Sequence, residues 1–502
     1  MKRTEFTKWC LLIVLLIIPV RLANLGNPLL DHHSFRQTQT AISAYWMAEE
    51  GITLPDYPLP VLGRPWSAPF EFPVLQLVIA GAYKSGIPLD LAARATAVIA
   101  FTLAIGLLAL LLRSLQLPTP ATVAFIALAA FSPFALVWSR ACLIDFTSVL
   151  FSIGYLALCI YASQKGWGWR GAFLTIAMGG LAAATKVTTL PVYWAGAAAV
   201  GLEQLWNLWR QPATSNQSRL RAILIASGFW AAILIMPLVI AGIWTHLADG
   251  VKQASPSTRW LTSGALGGWN FGEFSLRLQT AKWNIIYDRL TSLVVPFAWP
   301  LVLLGILGVF RLPKSLALLI AGLSAGSLAT VVLFFNLYAV HDYYLCAVAA
   351  PVWLLAALGV NEVTRLYDSL TWKITATSVP ILITVTVAYN SNYVAYSYRD
   401  LRNDEIIKIS NLIMENTGPG EELIILGDDW NSRIPYYSRR KSLMIKEPFV
   451  SLTHASDYAK SNSVKFIVAN KKLMDSARKT WPGARPIAET GQYALLEIPE
   501  TR

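Results

Sequence analysis

The chain has 502 residues, of which 55% are hydrophobic and only 14% charged, and its mean hydropathy is +0.49. Soluble domains carry about 25% charged residues, so this composition excludes a soluble globular protein and indicates a polytopic membrane protein. The formal charge of +12 would suggest nucleic acid in a soluble chain. In a membrane chain it is accounted for by membrane lipids with anionic headgroups or by a lipid phosphate as substrate, and no nucleic-acid partner is expected.

In chain order, windows of about 20 residues give eleven apolar stretches, at 9–26, 91–112, 120–138, 146–163, 171–185, 188–206, 222–244, 291–310, 315–337, 344–360 and 374–390. Lys2, Arg3 and Lys8 precede the first, which favours a cytoplasmic N-terminus by the positive-inside rule. With no small-residue cleavage site before its polar end, this stretch reads as a retained span. An odd number of spans puts the termini on opposite faces. Cations occur in the loops of both sides, so the orientation rests on the first span.

The first stretch is followed by Asp31-His32-His33-Ser34-Phe35-Arg36, in a loop of 27–90 that also holds Glu49, Glu50, Asp56, Arg64 and Phe70-Glu71-Phe72-Pro73. The apolar run 72–83 is too short to cross a bilayer and is expected as an interfacial helix. Arg140 and Asp145 lie between the third and fourth spans, Lys186 follows the fifth, and His341-Asp342-Tyr343-Tyr344 precedes the tenth. This topology gathers four of the five histidines, His32, His33, His246 and His341, at one membrane face. Cys10, Cys142, Cys159 and Cys346 lack CxxC spacing and read as packing residues. From 391 the composition becomes that of a water-soluble domain: a helix over 403–416 and strands over 422–426, 464–469 and 493–498 predict a small α/β layer. Gly427-Asp428-Asp429-Trp430-Asn431 follows the first strand, where α/β sheets often bind ligands. A solvated turn with a helix cap is the simpler reading. The chain thus divides into a transmembrane part, 1–390, and an α/β domain, 391–502.

Charged groups at the mouth of a span are costly to bury in hydrocarbon, roughly 2.5–3.5 kcal/mol each on insertion scales, so they are expected to have a task or to anchor the helix at the headgroups. Acids, imidazoles and cations beside aromatic rings suit group transfer from a lipid-anchored phosphate. A carboxylate takes the proton of an acceptor hydroxyl, cations hold the departing phosphate, and rings stack on sugar or prenyl faces. Asp31 and Asp145, from distant parts of the sequence, are expected in one composite site. Asp145 also suits a plain helix cap, and Lys186 and Arg36 also suit snorkelling to headgroups. His33 or His341 with these acids would make a mixed N/O site for a divalent metal, Mn2+, Mg2+ or Zn2+, although adjacent histidines are not a diagnostic spacing.

The order of these elements resembles the bacterial branch of the GT-C polyprenyl-phosphate-dependent glycosyltransferases, the protein mannosyltransferase-like group and the aminoarabinose transferases of lipid A. The matching elements are Asp31 after the first span, Phe70 to Pro73, Asp145 after the third span, Thr185-Lys186, His341 to Tyr344, and a soluble C-terminal domain. The resemblance implies a helical GT-C fold of about eleven transmembrane helices with an extracytoplasmic α/β domain. It implies Asp31 as general base or acceptor-orienting carboxylate with Asp145 as its partner, and Lys186 and Arg36 at the donor phosphate. Glu71, Arg140, His341 and Tyr343 are further candidates for donor contact. The implied activity is inverting transfer of a monosaccharide from a polyprenyl-phosphate donor to an extracytoplasmic acceptor, at the inner membrane with a periplasmic active site. Three departures argue against aminoarabinose transfer: His32 where the family has a second acid, Ser34 where the aminoarabinose enzymes have Arg, and Phe72 where they have Lys. A flippase for a lipid-linked glycan is the alternative. It calls for mid-membrane charges or two similar halves, and the charges here sit at span ends.

Overall fold

A computed structural model describes residues 3–165, 168–210 and 216–498; Lys2 lies outside the described residues. The chain forms two compact units. The first comprises Met1–Leu25, Ala97–Trp244 and Gly267–Tyr398, and the second Gly26–Thr96, Thr245–Leu266 and Arg399–Arg502.

The first unit is helical because its sequence is apolar over lengths that a helix spans with every backbone group satisfied internally. All eleven expected stretches fall on helices. Among the described residues six helices are long and apolar enough to cross a membrane. A seventh is made if Thr280–Val294 and Trp299–Val309, bent by 91° at their break, count as one. The stretch expected at 120–138 is two helices, Thr119–Phe131 and Pro133–Trp138. Pro133 has no N–H to continue the first helix, and the Ser132 hydroxyl caps the second by accepting from the Ala135 N–H at 3.2 Å.

Small residues let helices approach where no hydrophobic drive exists between them. A Cβ on Gly305 of Trp299–Val309 would lie 1.8 Å from the Leu355 carbonyl oxygen, and one on Gly359 would lie 1.9 Å from that of Leu301. Each of the two helices therefore needs its glycine for the other. Phe101, Tyr155, Tyr193 and Trp353 fill the interior, and Cys142, Cys159 and Cys346 are buried.

The second unit is built on a five-stranded sheet, β1 (Leu423–Leu426), β2 (Ser442–Met444), β3 (Phe466–Asn470), β4 (Arg485–Glu489) and β5 (Tyr493–Glu497), in the order β2-β1-β3-β5-β4. β1 runs parallel to β2 and β3, while β5 is antiparallel to β3 and β4. β1, β3 and β5 match the strands expected at 422–426, 464–469 and 493–498. β2 and β4 were not expected: one is three residues long, and the other is largely exposed and contains Pro486.

The stretch 27–90 holds two helices, Ser34–Glu50 and Val74–Lys84. It also extends the sheet beyond β2: the Ser442 N–H donates to Pro60 O at 3.0 Å, Met444 N–H to Val61 O at 3.1 Å, and Gly63 N–H to Ser442 O at 3.1 Å. Side chains tie the same segments. Thr38 and Ser432 hydroxyls meet at 2.8 Å, Tyr436 donates to Asp90 at 2.7 Å, and Lys441 pairs with Glu50 at 2.6 Å. The first polar segment and the C-terminal α/β layer thus share one body.

Candidate active-site clusters

Asp31 sits just before helix Ser34–Glu50, at a turn where His33 takes the left-handed conformation, φ 48°. Its Oδ1 accepts from Gln37 Nε2 at 2.6 Å and from Arg94 Nη2 at 3.0 Å, and its Oδ2 accepts from Arg94 Nη1 at 3.3 Å. Arg94 is fully buried and also donates to the carbonyls of Asn27 at 3.1 Å and Pro28 at 2.7 Å. The guanidinium fork therefore fixes both the acid and the chain that carries it. Oδ1 has two donors and Oδ2 one long bond, so Oδ2 is the atom with capacity for a further hydroxyl.

Arg36 bonds Gln39 Oε1 at 2.7 Å and lies over the rings of Phe35 and Trp430, at 5.1 and 5.5 Å. Glu71 accepts from Gln76 at 2.7 Å. Trp430, from the loop after β1, packs edge-on against Phe35 at 4.7 Å and against Trp260 at 5.4 Å. The Gly427–Asn431 motif accordingly presents a ring to the first polar segment.

In the first unit a second cluster forms around Lys186, just past the end of helix Trp169–Thr185. Its Nζ donates to Asp145 Oδ1 at 2.5 Å and lies over the rings of Tyr344 and Tyr343, at 4.4 and 5.0 Å. Asp145 opens helix Asp145–Lys165, where the positive end of the helix dipole favours a carboxylate. Ser148, one turn on, donates to the carbonyls of Ala182 at 3.0 Å and Lys186 at 3.3 Å, which locks the two segments together. His341 stacks on Tyr343 at 5.2 Å with Trp269 at 5.9 Å, and Trp138 lies 5.9 Å from Tyr343. Tyr393 donates to Asp342 at 2.5 Å. The structure thus brings together Asp145, Lys186, His341 and Tyr343. Arg140, fully buried, donates to Asn24 O at 2.8 Å and lies 4.0 Å from the centre of the Tyr398 ring.

Of the sequence candidates, Asp31, Arg36, Glu71, His33 and His246 belong to the second unit, and Asp145, Lys186, Arg140, His341 and Tyr343 to the first. Arg94 and Gln37 were missed. Arg94 lies in an otherwise apolar run, and a guanidinium there demands an acid, a signal present in the sequence. The donor sets do not fit a resident metal: among the described residues no three His, Cys, Asp or Glu side chains converge.

Asp428 follows Gly427, whose φ of +93° suits glycine. Burial pushes the Asp428 carboxyl up from 3.8 to about 6, against the pull of Arg433, whose Nη2 lies 2.6 Å away. The neutral acid is the better-tolerated form in the fold. Its stabilisation is complete below the unfolded value near pH 4 and is lost as pH rises through 6. Thermal melts of the wild type and Asp428→Asn should therefore show the wild type losing ground to the variant by about 1 kcal/mol per pH unit across that window. A constant difference between the two would contradict it.

The sequence matches no protein-family model and no curated protein. Among solved structures, the chain is similar to ArnT from Cupriavidus metallidurans bound to undecaprenyl phosphate, with a TM-score of 0.62 at 15% identity over 99% of both chains. It is also similar to the archaeal oligosaccharyltransferase AglB from Archaeoglobus fulgidus in complex with an inhibitory peptide and a dolichol-phosphate. There the TM-score is 0.54 at 14% identity, over 98% of this chain and 74% of that one. The A. fulgidus oligosaccharyltransferase in complex with Zn and sulfate gives 0.56 at 15% identity, over 95% and 69%. These likenesses show the fold alone, the GT-C fold that the resemblance implied.

Proposed function

We propose that the chain is a membrane glycosyltransferase that moves a monosaccharide from a polyprenyl-phosphate donor to an extracytoplasmic glycolipid, polysaccharide or protein, with inversion. The observation that carries this reading is the end-to-end likeness to a protein bound to undecaprenyl phosphate. Lys186 supports it locally as an ammonium held at the end of a helix with two ring faces against it.

In the reaction, the acceptor hydroxyl oxygen attacks the anomeric carbon as the bond from that carbon to the phosphate oxygen breaks. The electron pair leaves on the polyprenyl phosphate, and the acceptor proton passes to a carboxylate. Lys186 meets the charge developing on the phosphate, where a preorganised cation acts in low dielectric. Asp145 holds that cation in place through the 2.5 Å contact to Oδ1. By the resemblance, Asp31 is the candidate for the carboxylate that takes the proton, and its Oδ2 is the oxygen with capacity for a further hydroxyl. The rings of Tyr343 and His341 present faces to sugar or prenyl carbons, and Arg36, Arg140 and Glu71 are further contacts for the donor.

The test is incubation of the purified protein with a panel of polyprenyl-phosphate monosaccharides and a cell-envelope extract. Release of the lipid phosphate, read by mass spectrometry, is expected for one donor; release for none of them would overturn the reading.

We place the chain in the bacterial inner membrane with its N-terminus cytoplasmic and residues 391–502 periplasmic. Alkaline phosphatase fused after residue 400 should be active, and activity of a cytoplasm-only reporter at that point would reverse the orientation.

A further inference from the structure

The first unit holds a second polar hollow, which sugar transfer does not use. A cavity of about 310 Å3 opens between the ends of helices Asp145–Lys165 and Leu190–Arg210 and the start of Lys314–Leu333. Asp145 and Gln164 stand at opposite ends of one helix, so at 1.5 Å rise per residue the cavity lies roughly 28 Å along it from Asp145. It therefore belongs to the other membrane face from the Lys186 cluster.

Its floor is apolar, with Ile160, Val200 and Leu319, and its wall carries Gln164, Glu203 and Asn207. Gln204 braces that wall, accepting from Trp230 Nε1 at 2.7 Å and donating to Ser163 O at 3.2 Å. Glu203 accepts the Ser315 hydroxyl at 2.7 Å, and among the described residues no cation pairs with it. A carboxylate over an apolar floor, beside the negative ends of two helices, favours a cation that brings N–H donors. Lys165 and Arg210 end those helices and Lys314 begins the third, which supplies positive charge outside the acid. Trp206 and Trp209 are exposed on the same helix end, with Arg210 4.4 Å from the Trp206 ring centre, the residue types that mark a bilayer interface.

We propose that this cavity binds the headgroup of a phospholipid that carries a primary ammonium and a phosphate, phosphatidylethanolamine. The ammonium meets Glu203, the phosphate meets the basic helix ends, and the acyl chains run along the apolar outer faces. A quaternary ammonium has no N–H to give the carboxylate, and an anionic headgroup would face Glu203 with like charge. The order of preference is therefore set by that one acid.

The experiment is native mass spectrometry of the full-length protein after exchange into nanodiscs of equal parts phosphatidylethanolamine, phosphatidylcholine and phosphatidylglycerol. The wild type should retain phosphatidylethanolamine about tenfold over each of the others, equivalent to about 1.4 kcal/mol, and Glu203→Gln should bring the ratio close to one. Equal retention by the wild type overturns the proposal, as does a preference for phosphatidylglycerol or an unchanged preference in the variant. The wild-type ratio decides alone if the variant does not fold.

Discussion

Lys186→Met is expected to reduce sugar transfer by about 10²–10³-fold, the cost of removing one preorganised partner of a developing oxyanion. The same substitution strands Asp145, whose side chain is only 4% exposed, and breaking a buried pair from one side costs about 3–5 kcal/mol. A loss of activity alone would therefore not separate chemistry from folding. Lys186→Met combined with Asp145→Asn does: the double variant should recover most of the thermal stability in detergent and none of the transfer. Recovery of transfer in the double variant would remove Lys186 from the donor phosphate.

The second large effect concerns Arg94. Its side chain is fully buried against Asp31 and the carbonyls of Asn27 and Pro28. Arg94→Met leaves a buried carboxylate without its counter-charge and two carbonyls without donors, with an expected loss of about 3–5 kcal/mol. Asp31→Asn keeps an oxygen for Gln37 and a weaker acceptor for Arg94, so its stability cost should be smaller, about 1–3 kcal/mol, while transfer is abolished. Melting temperatures and turnover on the same preparations check both. An Arg94→Met protein as stable as the wild type would show that the pair does not anchor this turn, and wild-type turnover in Asp31→Asn would remove its catalytic role.

The helices were legible because twenty apolar residues have few other fates, and the strands at 423–426, 466–470 and 493–497 because short apolar runs lie between turn signals. Helix Ser34–Glu50 was not legible. Its buried face includes Gln37, Thr38, Gln39 and Thr40, polar residues that bond to Asp31, His32, Ser34, Phe35 and Arg36 close by and, through Thr38, to Ser432, so no apolar period betrays it. The same holds for β2, whose three residues owe their place to pairing on both sides. At the candidate site, Lys186 and Asp145 were readable as span-end charges, and the rings at 343 and 344 as part of the motif before the tenth span. That one ammonium joins all of them was not, because the joining segments are 41 positions apart for the acid and farther still for the rings. Arg94 lies inside the apolar stretch 91–112, where its surroundings already implied a buried counter-ion.

The pairing of Leu62 with Leu443 also sets a timetable for synthesis. The polar segment that carries Asp31 leaves the ribosome about 380 residues before the strand it must join. At roughly 5–20 residues per second it waits tens of seconds with its edge open. During that interval the backbone groups at 60–63 are exposed to whatever extended chain is nearby. A truncation that removes β2 prolongs that wait indefinitely. Truncated forms should therefore be lost to aggregation or proteolysis even though every apolar helix is intact.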